Sequence, residues 1–166
     1  MAAITGDFPP GPYEMTFNGT SVGMMEGPVR VQDQHIAAAI RASLYGQTPI
    51  DYIHQGMMTF IAFVVKEWNA GAKAAMWQAG DAPGQCVEAG VLMNTKAKAL
   101  VLTALTNTPA ATEGPVTRTF GLAFLLPGHN LDVTFGPEER NVAIVMAVLP
   151  EPLSSGSKKV KMYVDT

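Results

Sequence analysis

The segment that most constrains this chain is Gly46-Gln-Thr-Pro-Ile-Asp-Tyr-Ile-His-Gln-Gly56, followed directly by Met57-Met-Thr-Phe-Ile-Ala-Phe-Val-Val65 and then Lys66-Glu67-Trp68. Two glycines bracket a stretch that must first turn and then extend. Pro49 fixes its own φ and pushes Thr48 out of the helical region. The run that follows is too apolar for a solvated strand and too short to cross a bilayer as a helix. A small domain has little use for so much strand that is apolar on both sides, unless neighbouring copies cover it. The pattern points to assembly rather than catalysis.

Composition agrees with that direction. The 166 residues suit one domain, and 48% are hydrophobic while only 15% are charged. Large exposed apolar patches mark interfaces. A net charge of −3 creates no field that attracts nucleic acid as a ligand, though it suits a pore through which nucleic acid passes. The single cysteine, Cys86, excludes an intrachain disulfide and fits a reducing cytoplasm. The N-terminus lacks the basic-then-apolar pattern of a signal peptide, and no stretch reaches transmembrane length, so a soluble chain is expected.

Along the chain, Gly6, Pro9, Pro10, Gly11 and Pro12 mark residues 1–12 as an extended arm. Tyr13–Phe17 has a strand pattern, and Asn18-Gly19 is the favoured pair for a tight hairpin. Thr20–Met24 and Val29–Val31 read as short strands around Gly27-Pro28. Residues 36–45 carry Ile36, Ile40 and Leu44 at helical spacing, and their alanines favour helix. A strand buried on both faces can carry the same residues, and the strand reading is preferred. Met57–Val65 is a strand by its β-branched and aromatic content. Lys66–Ala79 is the one predicted helix, with Trp68, Ala72, Met76 and Ala79 on its inner face, Lys66, Lys73 and Gln78 outward, and Gly80 and the turn 81–84 ending it.

The second half is strand after strand. Lys98–Thr106 precedes a loop from Asn107 to Pro115. Thr117–Leu126 places Phe120, Leu122, Phe124 and Leu126 on one face and Thr119, Gly121 and Ala123 on the other. Leu131–Phe135, Val142–Val148 and Val160–Val164 also alternate, separated by Gly and Pro punctuation. The expectation is a mainly β, sandwich or barrel-like fold with one main flanking α-helix. The domain lies at 13–150, and 151–166 forms a linker and edge strand. The small residues opposite the large ones let another layer or subunit approach closely.

Taken in order, Asn18-Gly19-Thr-Ser-Val-Gly23, strands to about Tyr45, Gly46-Gln-Thr-Pro-Ile-Asp51, Ile53, Gly56, and an apolar strand running into Lys66-Glu67-Trp68 precede a strand-rich second half. This arrangement resembles the tail tube, or major tail, proteins of long-tailed bacteriophages over roughly residues 12–150. The resemblance implies a two-sheet β-sandwich flanked by a helix. It also implies six-subunit rings stacked into a hollow tube, each subunit's sheet joining its neighbours' into an inner barrel without free edges. Genomic DNA would pass through the lumen without specific binding. The tail sheath or tape measure, baseplate and tail terminator proteins would be further partners, with synthesis in the host cytoplasm and a final place in the virion tail. Two features depart from the family. The Val31–Ile36 loop is short for a long stacking hairpin, and the 36–45 segment is rich in alanine. A baseplate, neck or secretion-tube ring is the nearest alternative, and a small β-barrel ligand carrier or enzyme is the alternative of another class.

No catalytic, cofactor-binding or metal-binding residue is assigned. His35, His54 and His129 have no metal-ligand spacing and read as surface or interface histidines. Cys86 has no local base. Asp51 and His54 are close in sequence, but Asp51 reads as a turn cap. Ser21, Ser43, Ser154 and Ser155 lack a nucleophile elbow. Glycines follow no nucleotide-binding pattern. Trp68 and Trp77, half a helical turn out of alignment, are expected to face different layers, one packed inside and one against a neighbour. Lys158, Lys159 and Lys161 guard a terminal edge strand or contact an acidic patch on the next ring.

Overall fold

Strand pairing is set at the first hairpin. Asn18 and Gly19 both take positive φ, 50° and 77°, the geometry that matches the twist of the flanking strands. Phe17 therefore faces Thr20 across a two-residue turn. The structure, a computed structural model, describes residues 13–41, 44, 48–78, 91–104, 117–132, 141–154 and 160–166.

Among the described residues, ten strands and one α-helix follow in order: β1 (Tyr13–Phe17), β2 (Thr20–Ser21), β3 (Met25–Arg41), β4 (Pro49–Val65), α1 (Ala70–Met76), β5 (Lys98–Ala104), β6 (Thr117–Leu125), β7 (Val142–Val148), β8 (Glu151–Pro152), β9 (Val160–Lys161) and β10 (Val164–Asp165). The chain is mainly β with one flanking helix, as the sequence pattern implies. An eight-stranded antiparallel sheet runs β2-β1-β5-β6-β7-β4-β3, with β10 also paired to β6. Strands β8 and β9 form a separate two-stranded ladder.

Alternation builds the core. Met15 and Phe17 from β1, Leu100 and Leu102 from β5, Ile144 and Met146 from β7, and Ile61 and Phe63 from β4 meet in one cluster. The helix adds Ala72, Ala75 and Met76 to it and packs on β1, β2 and β6. Such burial stabilises by roughly 1.5–3 kcal/mol per large apolar side chain.

Several sequence expectations are corrected. The helix starts at Ala70 rather than Lys66, because Asn69 caps it by accepting a 2.8 Å bond from the Ala72 amide. The Lys66 amide instead donates to the Met24 carbonyl, continuing the strand lane. Gln78 is buried rather than outward, its Oε1 accepting from the Leu125 amide at 3.0 Å. In β6 the alternation slips: Lys98 faces Ala123 while Leu100 faces Phe120. One extra residue on β6 places both Phe120 and Ala123 in the core, so Phe120 and Phe124 do not share one face throughout. Leu131 and Asp132 are not in a strand, although Leu131 packs on the core. Val133 and Phe135 lie outside the described residues, as do the 107–115 loop and the 81–84 turn. The last predicted strand is interrupted at Met162 and Tyr163, which separate β9 from β10.

The separate short strands expected at 29–31 and 36–45 are one strand. β3 runs unbroken from Met25 to Arg41 and absorbs Gly27-Pro28 in an irregularity of register between Glu26 and Arg30. Pro28 is tolerated because β3 is an edge strand.

The close approach of α1 to β2 depends on Gly71. A Cβ there would overlap the Ser21 carbonyl oxygen, which is backbone and cannot swing aside. Replacing Gly71 by Ala should gain about 1 kcal/mol in helix propensity but lose more to overlap, about 1–3 kcal/mol. A net drop in the denaturation midpoint of G71A is the expected outcome, and a rise would show that α1 is free to lift.

Candidate assembly surface

The 17-residue strands β3 and β4 pair along almost their whole length, from Met25–Val65 to Arg41–Pro49. Their support is unequal. β7 pairs with β4 only between Val65 and Thr59, where Val148 ends the ladder. Beyond Thr59, β4 has only β3 beside it among the described residues. The outer half of the hairpin is therefore an arm that leaves the body, reaching roughly 30 Å at about 3.3 Å per residue.

The sequence reading located a short loop between Val31 and Ile36. Residues 32–35 instead lie inside β3, which runs to Arg41, and β4 begins at Pro49. Nor is the 36–41 segment buried on both faces. Ile36 is exposed, and across the ladder Ala38 faces Ile53 and Ala39 faces Tyr52. Ile53 is 56% exposed, Tyr52 62%, Ile50 52% and Met58 49%. Small alanines on one strand leave the large side chains of the other standing clear.

Closer to the body, the apolar run of β4 behaves as two faces. Thr59, Ile61, Phe63 and Val65 point into the core, while Phe60, Ala62 and Val64 are half-buried. Across the ladder Phe60 meets Ala147, Ala62 meets Val145 and Val64 meets Ala143. This outer apolar face and the exposed arm adjoin the outer edge of β3, along which no described strand pairs. An open, apolar edge is a template for another chain.

At the point where the arm departs, Asp33 uses both carboxylate oxygens. Thr59 donates from Oγ1 to Oδ1 at 2.6 Å, and Tyr163 donates its hydroxyl to Oδ2 at 3.0 Å. Tyr163 in turn lies under the Arg118 guanidinium, 4.3 Å from its ring centroid, and meets Phe120 edge-on at 5.6 Å. Arg118 grips Asp165 through Nε and Nη2 at 2.6 and 2.7 Å. The bond to Asp165 raises the Arg118 pKa above its ordinary value. Partial burial, then the bond to Asp33, push the Tyr163 phenol up. Partial burial also raises Tyr13, with Arg118 opposing it. Sequence reasoning did not single out Asp33, Arg118, Tyr163 or Asp165, and no motif marks them.

Among the residues that were singled out, His35 and His54 come together on the arm, ring centroids 5.8 Å apart. His129 is elsewhere, its Nε2 3.0 Å from the Ala143 carbonyl oxygen. Asp51 does not engage His54 in any described bond. Its Oδ1 accepts from the next amide, Tyr52, at 2.7 Å, and it sits in β4 rather than in a turn. Ser21 Oγ accepts from the Gly23 amide. Trp68 and Trp77 do not face different layers. They pack edge to face at 5.4 Å, because Trp68 precedes the helix and Trp77 ends it. Lys161 pairs with Glu151 at 3.4 Å. Ser43, Cys86, Ser155, Lys158 and Lys159 lie outside the described residues. Among the described residues no three His, Cys, Asp or Glu converge as metal ligands, and no helix is long and apolar enough to cross a membrane.

No protein-family model and no curated protein sequence matches this chain.

The raised Tyr163 pKa has a definite sign. The neutral phenol is favoured in the folded chain, so its stabilisation is complete below the ordinary value of 10.0 and is lost as pH rises through the higher folded value. Denaturation midpoints measured from about pH 8 to 11 should fall more steeply for the native chain than for Y163F. Parallel curves would mean that Tyr163 ionises as freely as in the unfolded chain.

Proposed function

We propose that this chain is a structural subunit of a bacteriophage tail tube, in which copies close into rings and the rings stack around a channel for genomic DNA. The observation that carries the reading is the β3–β4 arm, whose outer half exposes Ile50, Tyr52, Ile53 and Met58. A two-stranded hairpin is marginal in water by itself. An apolar one that is retained at such length is best accounted for by a surface that receives it. The order of elements supports the same reading, since it follows the tail tube pattern from the Asn18-Gly19 turn through the apolar strand to the helix.

Identical copies are the natural occupants. The exposed Ile50, Tyr52, Ile53 and Met58 of the arm and the half-buried apolar face of β4 and β7 belong to one polypeptide. Symmetric closure covers the edge of every copy at once, whereas a lone copy leaves β3 open. Six copies per ring is the number that the resemblance implies. Net charge −3 suits a channel that DNA traverses without adhering, because each phosphate neutralised by Lys or Arg adds affinity.

Negative-stain microscopy of the purified protein is the direct test. Rings or tubes with a central hole are expected. Discrete rings that never lengthen would favour the baseplate or neck role. A chain that stays monomeric at high concentration, even with other tail components added, would overturn the proposal.

A paired substitution locates the contact. Tyr52→Ser with Ile53→Glu removes two exposed side chains from the arm and should shift stability by no more than about 0.5 kcal/mol. The concentration needed for assembly should rise at least about tenfold, since each lost burial is worth more than 1.4 kcal/mol. Sedimentation of wild-type and variant protein reads both species, and unchanged assembly would remove the arm from the interface.

A further inference from the structure

We infer that the C-terminal residues 160–166 act as a latch that fixes the base of the β3–β4 arm and so sets the direction in which the assembly surface is presented. The inference rests on the arm being that surface.

The argument begins with a vacated lane in the sheet. β6 carries β5 along one edge. Its other edge is taken by β7 at residues 123–125 and by β10 at residues 118 and 119. β7 stops at Val148, opposite Thr59 on one side and Ala123 on the other. Past that point β4 loses its inner neighbour, and this is where the arm begins. The C-terminal segment enters the lane that β7 leaves.

Its attachment to β6 is dense for so short a piece. Thr117 and Thr166 exchange both backbone bonds at 2.8 and 2.9 Å. Val164 faces Thr119 and Asp165 faces Arg118. The two-pronged Arg118–Asp165 pair adds side-chain bonds to the same register. Met162 is buried in the core cluster. Between these two anchors stands Tyr163, its ring held by Arg118 and Phe120.

From that fixed position Tyr163 reaches β3. Its hydroxyl donates to Asp33, whose other oxygen accepts from Thr59 on β4. One carboxylate thus joins the C-terminus to both strands of the arm at the level where β7 ends. Without the hydroxyl, the base would keep the β3–β4 ladder, the Thr59–Asp33 bond and the packing of Val31 and Met57 on the core, but would lose its tie to residue 163. A hinge at this level would swing the whole exposed surface, because the displacement of the tip grows with distance from the base.

The test uses the full-length chain, dilute enough to remain unassembled, and follows amide hydrogen exchange peptide by peptide. Y163F keeps the ring between Arg118 and Phe120 and deletes only the hydroxyl. Exchange at 32–36 and 57–60 should quicken about tenfold, with β5 at 100–102 unchanged. D165N should release the same arm peptides and, in addition, 117–119. D33N, which replaces one of the two accepting oxygens by an amide donor, should lie between the native chain and Y163F. The inference is overturned if Y163F exchanges like the native chain, or if exchange quickens equally in β5, which would signify general loosening. Because the measurement needs no assembly, a failure of the native protein to form rings would sink the proposed function without altering this comparison.

Discussion

The structure turns on one ladder of backbone hydrogen bonds, the β3–β4 hairpin, and on where its support ends. Over its first half β4 lies between β3 and β7, with Ile61, Phe63 and Val65 sealed in the core. Over its second half only β3 pairs with it among the described residues. Cross-strand bonds are the same in both halves, but only the inner half is backed by apolar burial. Backbone bonds contribute little net stability against water, so the outer half is the less firmly held part of the ladder. Its exposed Ile50, Tyr52 and Ile53 lie beside an edge of β3 along which no described strand pairs.

The polar groups at the junction resolve a local difficulty. A strand that leaves a sheet must pass from buried to exposed surroundings within a residue or two. Thr59 is 1% exposed, and a buried hydroxyl without a partner is costly. Asp33 supplies the acceptor. Tyr163 then shares the same carboxylate, and Arg118 balances the carboxylate of Asp165 beside it. Charge, hydrogen bonding and aromatic packing converge at the one place where the sheet's own geometry changes.

Much of the architecture could be read from the residues. Asn18-Gly19 specified its turn, since few other pairs accept positive φ at both positions. The alternation of Val142–Val148 placed Val142, Ile144, Met146 and Val148 inward, where they lie. The preference for strand over helix at Ile36–Arg41 was right in type and wrong in burial. An alanine-rich strand with isoleucines resembles a core strand in composition, and composition does not report what stands beside it. The two tryptophans were misjudged for a related reason. Their spacing was measured along a helix that begins only after Asn69 caps it.

The sequence by itself determined the periods: a two-residue alternation in nearly every segment, a turn with left-handed residues, one short helical stretch and an excess of apolar strand. These are local properties, written in neighbouring residues through steric preference and side-chain direction. Only the tertiary structure decided that β7 stops short of the arm, that an extra residue turns Phe120 and Ala123 to the same side, and that Tyr163 meets Asp33 across 130 positions. Which strands become neighbours, and where a neighbour is missing, depends on how distant segments share one core, and no local pattern carries that information.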